Sequence, residues 1–275
     1  MEEKQQNYRF LIQYEGSRYS GWQKLGGKEQ TIQGKLENIL ERMTGEAVTV
    51  IGSGRTDAGV HAKGQVANAH LRGNFSEKEI LDYVNGYLPE DIAVLEVTKV
   101  SEEFHSRYHA VEKCYLYRLS VSAAPDVFQR RYVYEYGREC LKNRAGERQD
   151  GEALQGLDLS SMKEAAAFLV GEHDFQSFCG RKMKKKSSVR NIRAIEIEER
   201  DGELQFLYRG DGFLFHMIRI MTGTLLEVGE GKRQPEDMKE ILASGIRENA
   251  GRTMPAKGLT LLWVRYGGED GIGCL

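Results

Sequence analysis

A chain of 275 residues with 40% hydrophobic content has material for one large core or two moderate ones. No apolar run approaches the roughly 20 residues of a membrane span, and residues 1–8 (MEEKQQNY) are polar and partly acidic, unlike a secretory leader, so the cytoplasm is the expected location. A net charge of −2 is not that of a purely electrostatic nucleic-acid binder, and four scattered cysteines without a C-x-x-C pair indicate neither a structural zinc nor a disulfide framework.

Residues 8–14 (YRFLIQY) alternate in the strand manner, and a Gly-rich connection leads to residues 31–44, where Ile32, Leu36, Ile39, Leu40 and Met43 recur at helical spacing. Residues 48–53 read as a strand, 54–63 as a loop and 65–71 as another strand. Ser76 with Glu79 three residues on is a capping box, opening a helix with Ile80, Tyr83, Val84 and Tyr87 as its apolar stripe. A strand over 92–100 completes the order β-α-β-β-α-β. The order recurs downstream. A strand over 113–121 is followed by a helix opened by Ser161 with Glu164 and stopped at Gly171. Strands over 189–200 and 203–209 are joined by Asp201-Gly202, the strongest short hairpin signal. A helix over 213–228, another starting near Pro235 and a strand over 259–266 follow. The expected fold class is therefore α+β, with two ferredoxin-like halves, residues 1–110 and 111–275, whose antiparallel sheets meet at a central cleft. The duplication is topological, since no residue-level repeat is visible. Residues 136–157, charged and Gly-containing, read as a loop or mobile excursion.

The segment with most chemical content is residues 52–62 (GSGRTDAGVHA), on the connection between two adjacent strands of the first half. It is not a dinucleotide fingerprint, because G-x-G-x-x-G needs glycine where Asp57 stands, and no G-K-[ST] follows to make a P-loop. Two readings remain at this level. Asp57 can be a turn residue serving its own backbone, or small residues let a sugar or backbone approach while Asp57 is presented as a nucleophilic carboxylate. Residues 181–193 (RKMKKKSSVRNIR) hold seven Lys or Arg and no acid, and Gln129-Arg130-Arg131 forms a second basic patch. Each is either a solvated surface run or an RNA contact.

The chain resembles the TruA-type tRNA pseudouridine synthases through motifs spread over nearly its whole length. These are Tyr14-Glu15-Gly16, Tyr19-Ser20-Gly21-Trp22-Gln23, and Thr31-Ile32-Gln33-Gly34 with Leu36-Glu37. The catalytic signature, from Gly54 to Ala62 (GRTDAGVHA), is intact. Then come Leu88-Pro89-Glu90-Asp91-Ile92, Phe104-His105-Ser106-Arg107, Lys113-Cys114-Tyr115-Leu116-Tyr117 and Gly171-Glu172-His173-Asp174-Phe175 with Ser177-Phe178. The last are Phe213-Leu214-Phe215-His216-Met217-Ile218-Arg219, Val228-Gly229 and Gly258-Leu259-Thr260-Leu261. The resemblance implies that Asp57 is the nucleophile and that Arg55 helps hold the target nucleotide out of its stack. It further implies that Tyr115 covers the uracil, that Arg219 pairs with Asp57 and that Leu259 packs on the base. The implied reaction is isomerisation of uridine to pseudouridine in the anticodon stem-loop of tRNA, at positions 38, 39 and 40, by a homodimer that needs no cofactor and no metal. The cleft between the halves would then be the RNA-binding one.

Residue chemistry agrees with that assignment. Cleaving the N1 glycosidic bond, turning the base and rejoining it through C5 needs a covalent holder, which a carboxylate supplies. The His173-Asp174 dipeptide suggests a metal phosphohydrolase, but no further ligands stand at a recognisable spacing, and His61, His173 and His216 are expected to be structural or RNA-facing. Three departures from the family pattern bear on tRNA docking: Leu25 for a second glutamine, Met254-Pro255 for Ala-Pro, and the length of segment 136–157. The alternatives to the isomerase are a non-catalytic tRNA-binding protein, a paralogue with shifted target uridines, and a nucleoside hydrolase using the same carboxylate.

Overall fold

A computed structural model describes residues 5–24, 26, 30–143, 156–182 and 187–267. In chain order the elements are β1 (Gln5–Tyr14), α1 (Ile32–Thr44), β2 (Ile51–Gly52), β3 (His61–Arg72), α2 (Glu77–Tyr87), β4 (Ile92–Lys99) and β5 (Ala110–Ser120). They continue as β6 (Tyr134–Glu135), α3 (Tyr136–Asn143), α4 (Leu159–Ala167), β7 (Gly171–Asp174), β8 (Val189–Arg200), β9 (Glu203–Gly210), α5 (Met217–Gly229), α6 (Asp237–Ser244) and β10 (Leu259–Tyr266). The fold is α+β, as the sequence predicts. The chain forms two compact units, residues 1–113 with 260–275, and residues 114–259.

In the first unit β1 lies between β4 and β3, antiparallel to both, and the short β2 pairs antiparallel with β3. The final strand returns beside β3 in parallel, Thr260 opposite His61 and Leu261 opposite Ala62. Helix α1 buries Ile32, Leu36, Ile39 and Leu40 of the predicted stripe, while Met43 is only half-buried. It starts on Thr31, whose side chain accepts the Gly34 N–H, and ends at Gly45 with φ +75, the left-handed C-cap. The capping box of Ser76 and Glu79 closes as predicted.

The strand expected over 48–53 shrinks to two residues because Val50 spends its N–H elsewhere: it donates to the Glu37 carboxylate at 3.1 Å. Glu37 is itself buried and also receives Gln33 Nε2 at 2.8 Å and the Lys24 ammonium at 3.0 Å. The motif around Thr31 and Glu37 therefore ties α1 to the approach of the glycine-rich loop.

A buried amide network holds the middle of the first unit. Asn68 Nδ2 donates to Asn7 Oδ1 at 3.1 Å, Asn7 Nδ2 donates to the carbonyls of Ser101 and Phe104 at 2.9 Å, and Asn68 Oδ1 accepts from Ser106 N at 2.9 Å. Ser106 Oγ donates to the Ile51 carbonyl, and the Ser106 carbonyl accepts from the Tyr266 hydroxyl at 2.6 Å. Replacing Asn68 by leucine leaves Asn7 Oδ1 and the Ser106 amide without this partner inside the core, a cost of about 1–3 kcal/mol per group. We expect Asn68→Leu to lower stability by about 2–4 kcal/mol, read as a fall in the urea midpoint at unchanged slope.

The second unit has the strand order β5-β9-β8-β7, with β6 parallel to β5. The β8–β9 hairpin turns at Asp201 and Gly202, with φ +54 and +75, the pair of positive angles that a two-residue hairpin turn of this hand requires. Four sequence expectations are corrected here. The cap of α4 is Asp158, whose side chain accepts from Ser161 N, so the helix begins at Leu159 rather than at Ser161. Gly171, expected to stop that helix, has φ +110 and opens β7, a strand that its turn-like composition conceals. Helix α5 starts at Met217, because His216 sits at φ +63 and cannot continue a helix backwards. Within the expected excursion over 136–157, residues Tyr136–Asn143 form α3, and 144–155 lie outside the described residues. Among the described residues no helix is long and apolar enough to cross a membrane.

Candidate active site

The connection from β2 to β3 carries Arg55 and Asp57, and main-chain hydrogen bonds together with the inward Thr56 shape it. Val60 N donates to Asp57 O at 3.1 Å, with Gly59 at φ +80 in the turn between them. Thr56 points inward: it is buried, its carbonyl accepts from Trp22 N at 3.1 Å, and its hydroxyl shares a 2.8 Å hydrogen bond with the Tyr14 hydroxyl. Burial pushes the Tyr14 phenol up to about 12, so it stays protonated as a structural partner of the loop. With Thr56 held in, its neighbours face out, Arg55 exposed and Asp57 half-exposed.

Two glycines outside the signature make this possible. A Cβ on Gly21, at φ +98, would stand 2.7 Å from the Thr56 carbonyl oxygen and 3.1 Å from both Ala58 N and Asp57 C. A Cβ on Gly16 would stand 2.0 Å from the Val60 carbonyl oxygen. Tyr19 O accepts from Gly59 N at 3.4 Å, and Gly16 N donates to His61 Nδ1 at 3.0 Å. The motifs around Gly16 and Gly21 are thus the cradle in which the Asp57 loop lies. His61 is buried, and Nδ1 uses its lone pair for the Gly16 N–H. The 3.4 Å approach of Glu15 Oε1 to the same nitrogen is then no ion pair, since one ring nitrogen does not accept and donate at once. Asp91 ties in this cradle as well, taking the Tyr19 hydroxyl and lying 3.3 Å from the Arg18 guanidinium.

Below the loop, Lys113 Nζ donates to the Ser53 carbonyl at 2.6 Å, Ser53 Oγ donates to Gln65 Oε1 at 2.7 Å, and Gln65 Nε2 reaches the Gly54 carbonyl at 3.3 Å. A Cβ on Gly54 would meet Lys113 Nζ at 2.9 Å. Sequence reasoning missed Gln65 and Lys113 as supports. Each stands at the first position of an expected strand, Lys113 also within a family motif, and neither place tells which loop carbonyl or hydroxyl the side chain reaches.

Tyr115, Arg219 and Leu259 belong to the second unit. Tyr115 is buried on β5, with its ring edge-on to Phe213 at 5.2 Å and 81°. Arg219 is half-buried on α5. Its Nε donates to the Met254 carbonyl at 2.6 Å, and Met254 N donates to the Arg219 carbonyl at 3.1 Å. Tyr117 donates its hydroxyl to the Pro255 carbonyl at 2.8 Å, its phenol pushed well above the ordinary tyrosine range by burial. Residues 254–255 are therefore clamped from β5 and from α5. A Cβ on Gly258 would stand 2.7 Å from the Arg118 carbonyl oxygen, so the chain passes tightly over β5 before Leu259, which is buried at the start of β10.

His216 and His173 make local contacts. His216 stacks on Phe215 at 3.7 Å, and a Cβ on Gly180 would come 2.7 Å from its Nδ1. His173 Nε2 lies 3.0 Å from the Val170 carbonyl, and Asp174 Oδ1 accepts from Gln176 N at 2.9 Å as a local turn. Among the described residues no three His, Cys, Asp or Glu side chains are grouped to hold a metal.

The chain that carries this loop has counterparts among known proteins. Residues 11–109 and 165–267 match the family model described as tRNA pseudouridine synthase. The chain is 46% identical over 245 residues to the tRNA pseudouridine synthase A of Bacillus sp. (strain KSM-64), covering 89% of this chain and 93% of that one. It is 42% identical over 260 residues to tRNA pseudouridine synthase A 1 of Clostridium tetani (strain Massachusetts / E88), with 94% and 99% covered. Against tRNA pseudouridine synthase A of Brevibacillus brevis (strain 47 / JCM 6285 / NBRC 100599) it is 40% identical over 258 residues, with 94% and 98% covered. A glycine-cradled Asp57 loop, in a chain matched along most of its length on both sides of that loop, belongs to the tRNA pseudouridine synthase family.

Proposed function

We propose that this protein isomerises uridine to pseudouridine in the anticodon stem-loop of tRNA, at positions 38, 39 and 40, with Asp57 as the nucleophile. The observation that carries the reading is a half-exposed carboxylate on a loop whose backbone is immobilised by Gly16, Gly21 and Thr56, inside the intact signature of the family. Asp57 bonds to the nucleotide, the N1–C1′ bond breaks, the uracil turns and a C5–C1′ bond forms; the carboxylate is released, a base takes the C5 proton, and N1 ends protonated, so substrate and product are isomers. No net oxidation occurs, so the balance needs no redox partner.

Everting the base costs a few kcal/mol, and stacking on an aromatic ring recovers about 1–3 kcal/mol. Tyr115 is suited to that task because Phe213 already fixes its ring, leaving little freedom to be lost on binding. In this reading Arg55, exposed beside Asp57, holds the everted nucleotide, Arg219 supplies the positive charge that the family resemblance assigns to the carboxylate, and Leu259 packs on the base. Each unit is read as built on a ferredoxin-like half. The order of β4, β1, β3 and β2 in the first supports this. We place the protein in the cytoplasm as a homodimer, which light scattering tests against the 31.2 kDa of one chain.

The test is to map pseudouridine by carbodiimide primer extension in tRNA incubated with the pure protein. Signal at positions 38–40 supports the assignment, signal elsewhere shifts the target, and release of free uracil replaces isomerase with hydrolase. Tyr115 divides into ring and phenol. We expect Tyr115→Ala to raise KM about tenfold through the missing stack, and Tyr115→Phe to leave KM within about twofold. A kcat loss of about 10²- to 10⁴-fold in the phenylalanine variant assigns C5 proton removal to the hydroxyl, and an unchanged kcat limits Tyr115 to stacking.

A further inference from the structure

The segment after β5 shows a feature that the reaction at Asp57 does not use. Phe128 is 85% exposed and Val127 57% exposed, side by side on the surface, with Arg130, Arg131 and Tyr132 exposed immediately after them. An isolated exposed apolar residue needs no explanation, but a large aromatic exposed beside Val127 and followed by two arginines does. The turn that presents it is built from hydrogen bonds. Asp126 Oδ1 accepts from Phe128 N at 2.8 Å, Gln129 N donates to Asp126 O at 3.2 Å, Tyr132 N donates to Gln129 O at 2.8 Å, and Arg130 Nη1 donates to the Val127 carbonyl at 2.7 Å. Behind it, Arg118 Nη1 meets Gln129 Oε1 at 3.4 Å while Glu203 engages the same guanidinium through two 2.7 Å bonds. Lys257 Nζ reaches the Arg130 carbonyl at 3.4 Å, bringing a third cation to the turn.

The charge decides the class of partner. Asp126 is the acid within the turn itself, and its carboxylate is occupied by the Phe128 and Gln129 amides, so the outward face offers an aromatic surface bordered by Arg130, Arg131 and Lys257. Arginines interleaved with an exposed ring suit a polynucleotide, the ring stacking on an unpaired base and the cations meeting phosphates. They suit a second copy of this acidic-to-neutral chain less well, because an apolar interface core excludes charge.

We propose that the Val127–Tyr132 turn is a second RNA-contact surface, with Phe128 stacking on an unpaired base of the substrate tRNA and Arg130 and Arg131 on its backbone. The inference rests on the reading of the protein as a tRNA-modifying enzyme, and the experiment separates the two. Full-length wild type, Phe128→Ala, Phe128→Trp and the double variant Arg130→Ala/Arg131→Ala are compared for tRNA affinity between about 50 and 200 mM salt, for single-turnover pseudouridine formation at saturating tRNA, and for mass by light scattering.

We expect Phe128→Ala to weaken tRNA binding roughly five- to hundredfold, the span of one base–aromatic stack, with the saturated rate unchanged and Phe128→Trp restoring affinity. The double variant flattens the salt slope by about 1–2, one for each phosphate that is no longer neutralised. Wild type that forms pseudouridine alongside variants that bind tRNA equally well overturns the surface and leaves the enzyme reading intact. A change of mass in Phe128→Ala overturns it in favour of a contact between copies. Wild type that makes no pseudouridine fails the functional reading instead, and the affinity comparison still stands or falls by itself. Unfolding is monitored by thermal melting, which an 85% exposed ring leaves unmoved.

Discussion

Asp57→Asn is expected to abolish pseudouridine formation, with kcat falling by at least about 10³-fold, because on the proposed mechanism a neutral amide of the same shape cannot replace the carboxylate nucleophile. Asparagine keeps the size and shape of the side chain, and the main-chain hydrogen bonds of the turn are untouched. The turn around residue 57 is made by main-chain groups, Val60 N to Asp57 O at 3.1 Å and Gly59 N to Tyr19 O at 3.4 Å, and by the inward Thr56. The melting temperature of the variant should therefore stay within a few degrees of wild type. Affinity for tRNA should hold or rise slightly, since one negative charge facing a polyanion has been removed. Primer extension after carbodiimide treatment reads the activity, and undiminished turnover in Asp57→Asn would remove the carboxylate from the mechanism.

Gly16→Ala is expected to damage both activity and stability, though residue 16 lies far from the signature in sequence. The added methyl would sit 2.0 Å from the Val60 carbonyl oxygen, and its other near neighbours are also Val60 backbone atoms, at 2.6 and 3.1 Å. No side chain can swing aside to relieve this. Either the turn after β1 or the Asp57 loop must shift, and overpacking of this kind costs about 1–3 kcal/mol. A displacement of about 1 Å at the reacting group is worth about 10²-fold in rate. We expect a kcat loss of that size together with a lowered urea midpoint. Wild-type kcat in Gly16→Ala would show that the loop tolerates movement and that the cradle is dispensable.

The contrast between these two positions shows what was legible in the sequence. Asp57 is conspicuous because it stands among glycines, and its signature names it. Gly16 and Gly21 were visible only as members of motifs, since their purpose, close approach to a backbone about forty residues away, has no local pattern. Elements defined by nearest neighbours were legible: the Asp201-Gly202 hairpin, the Ser76 box, the stripe of α1. Those that failed depend on long-range partners. Val50 leaves its strand for Glu37, and His216 takes a left-handed angle beside Phe215 and Gly180. Asp158 was overlooked as a cap because Ser161, three residues on, offers a similar signal and bonds to it through both N and Oγ. The supports of Arg219 were equally hidden, because a carbonyl acceptor such as that of Met254 carries no side-chain signature.

The return of β10 to the first unit has a consequence for biosynthesis. Residues 260–266 lie beside the His61 end of β3, and two of them reach back into that unit: Tyr266 donates to the Ser106 carbonyl at 2.6 Å and Arg265 meets Glu112 at 2.6 Å. A ribosome delivers these residues about 150 positions after the rest of the sheet they complete. Until then the beginning of β3, next to the turn bearing Asp57, keeps an open edge of the sort that recruits stray strands. The nascent protein thus waits for β10 before the scaffold of the Asp57 loop is closed.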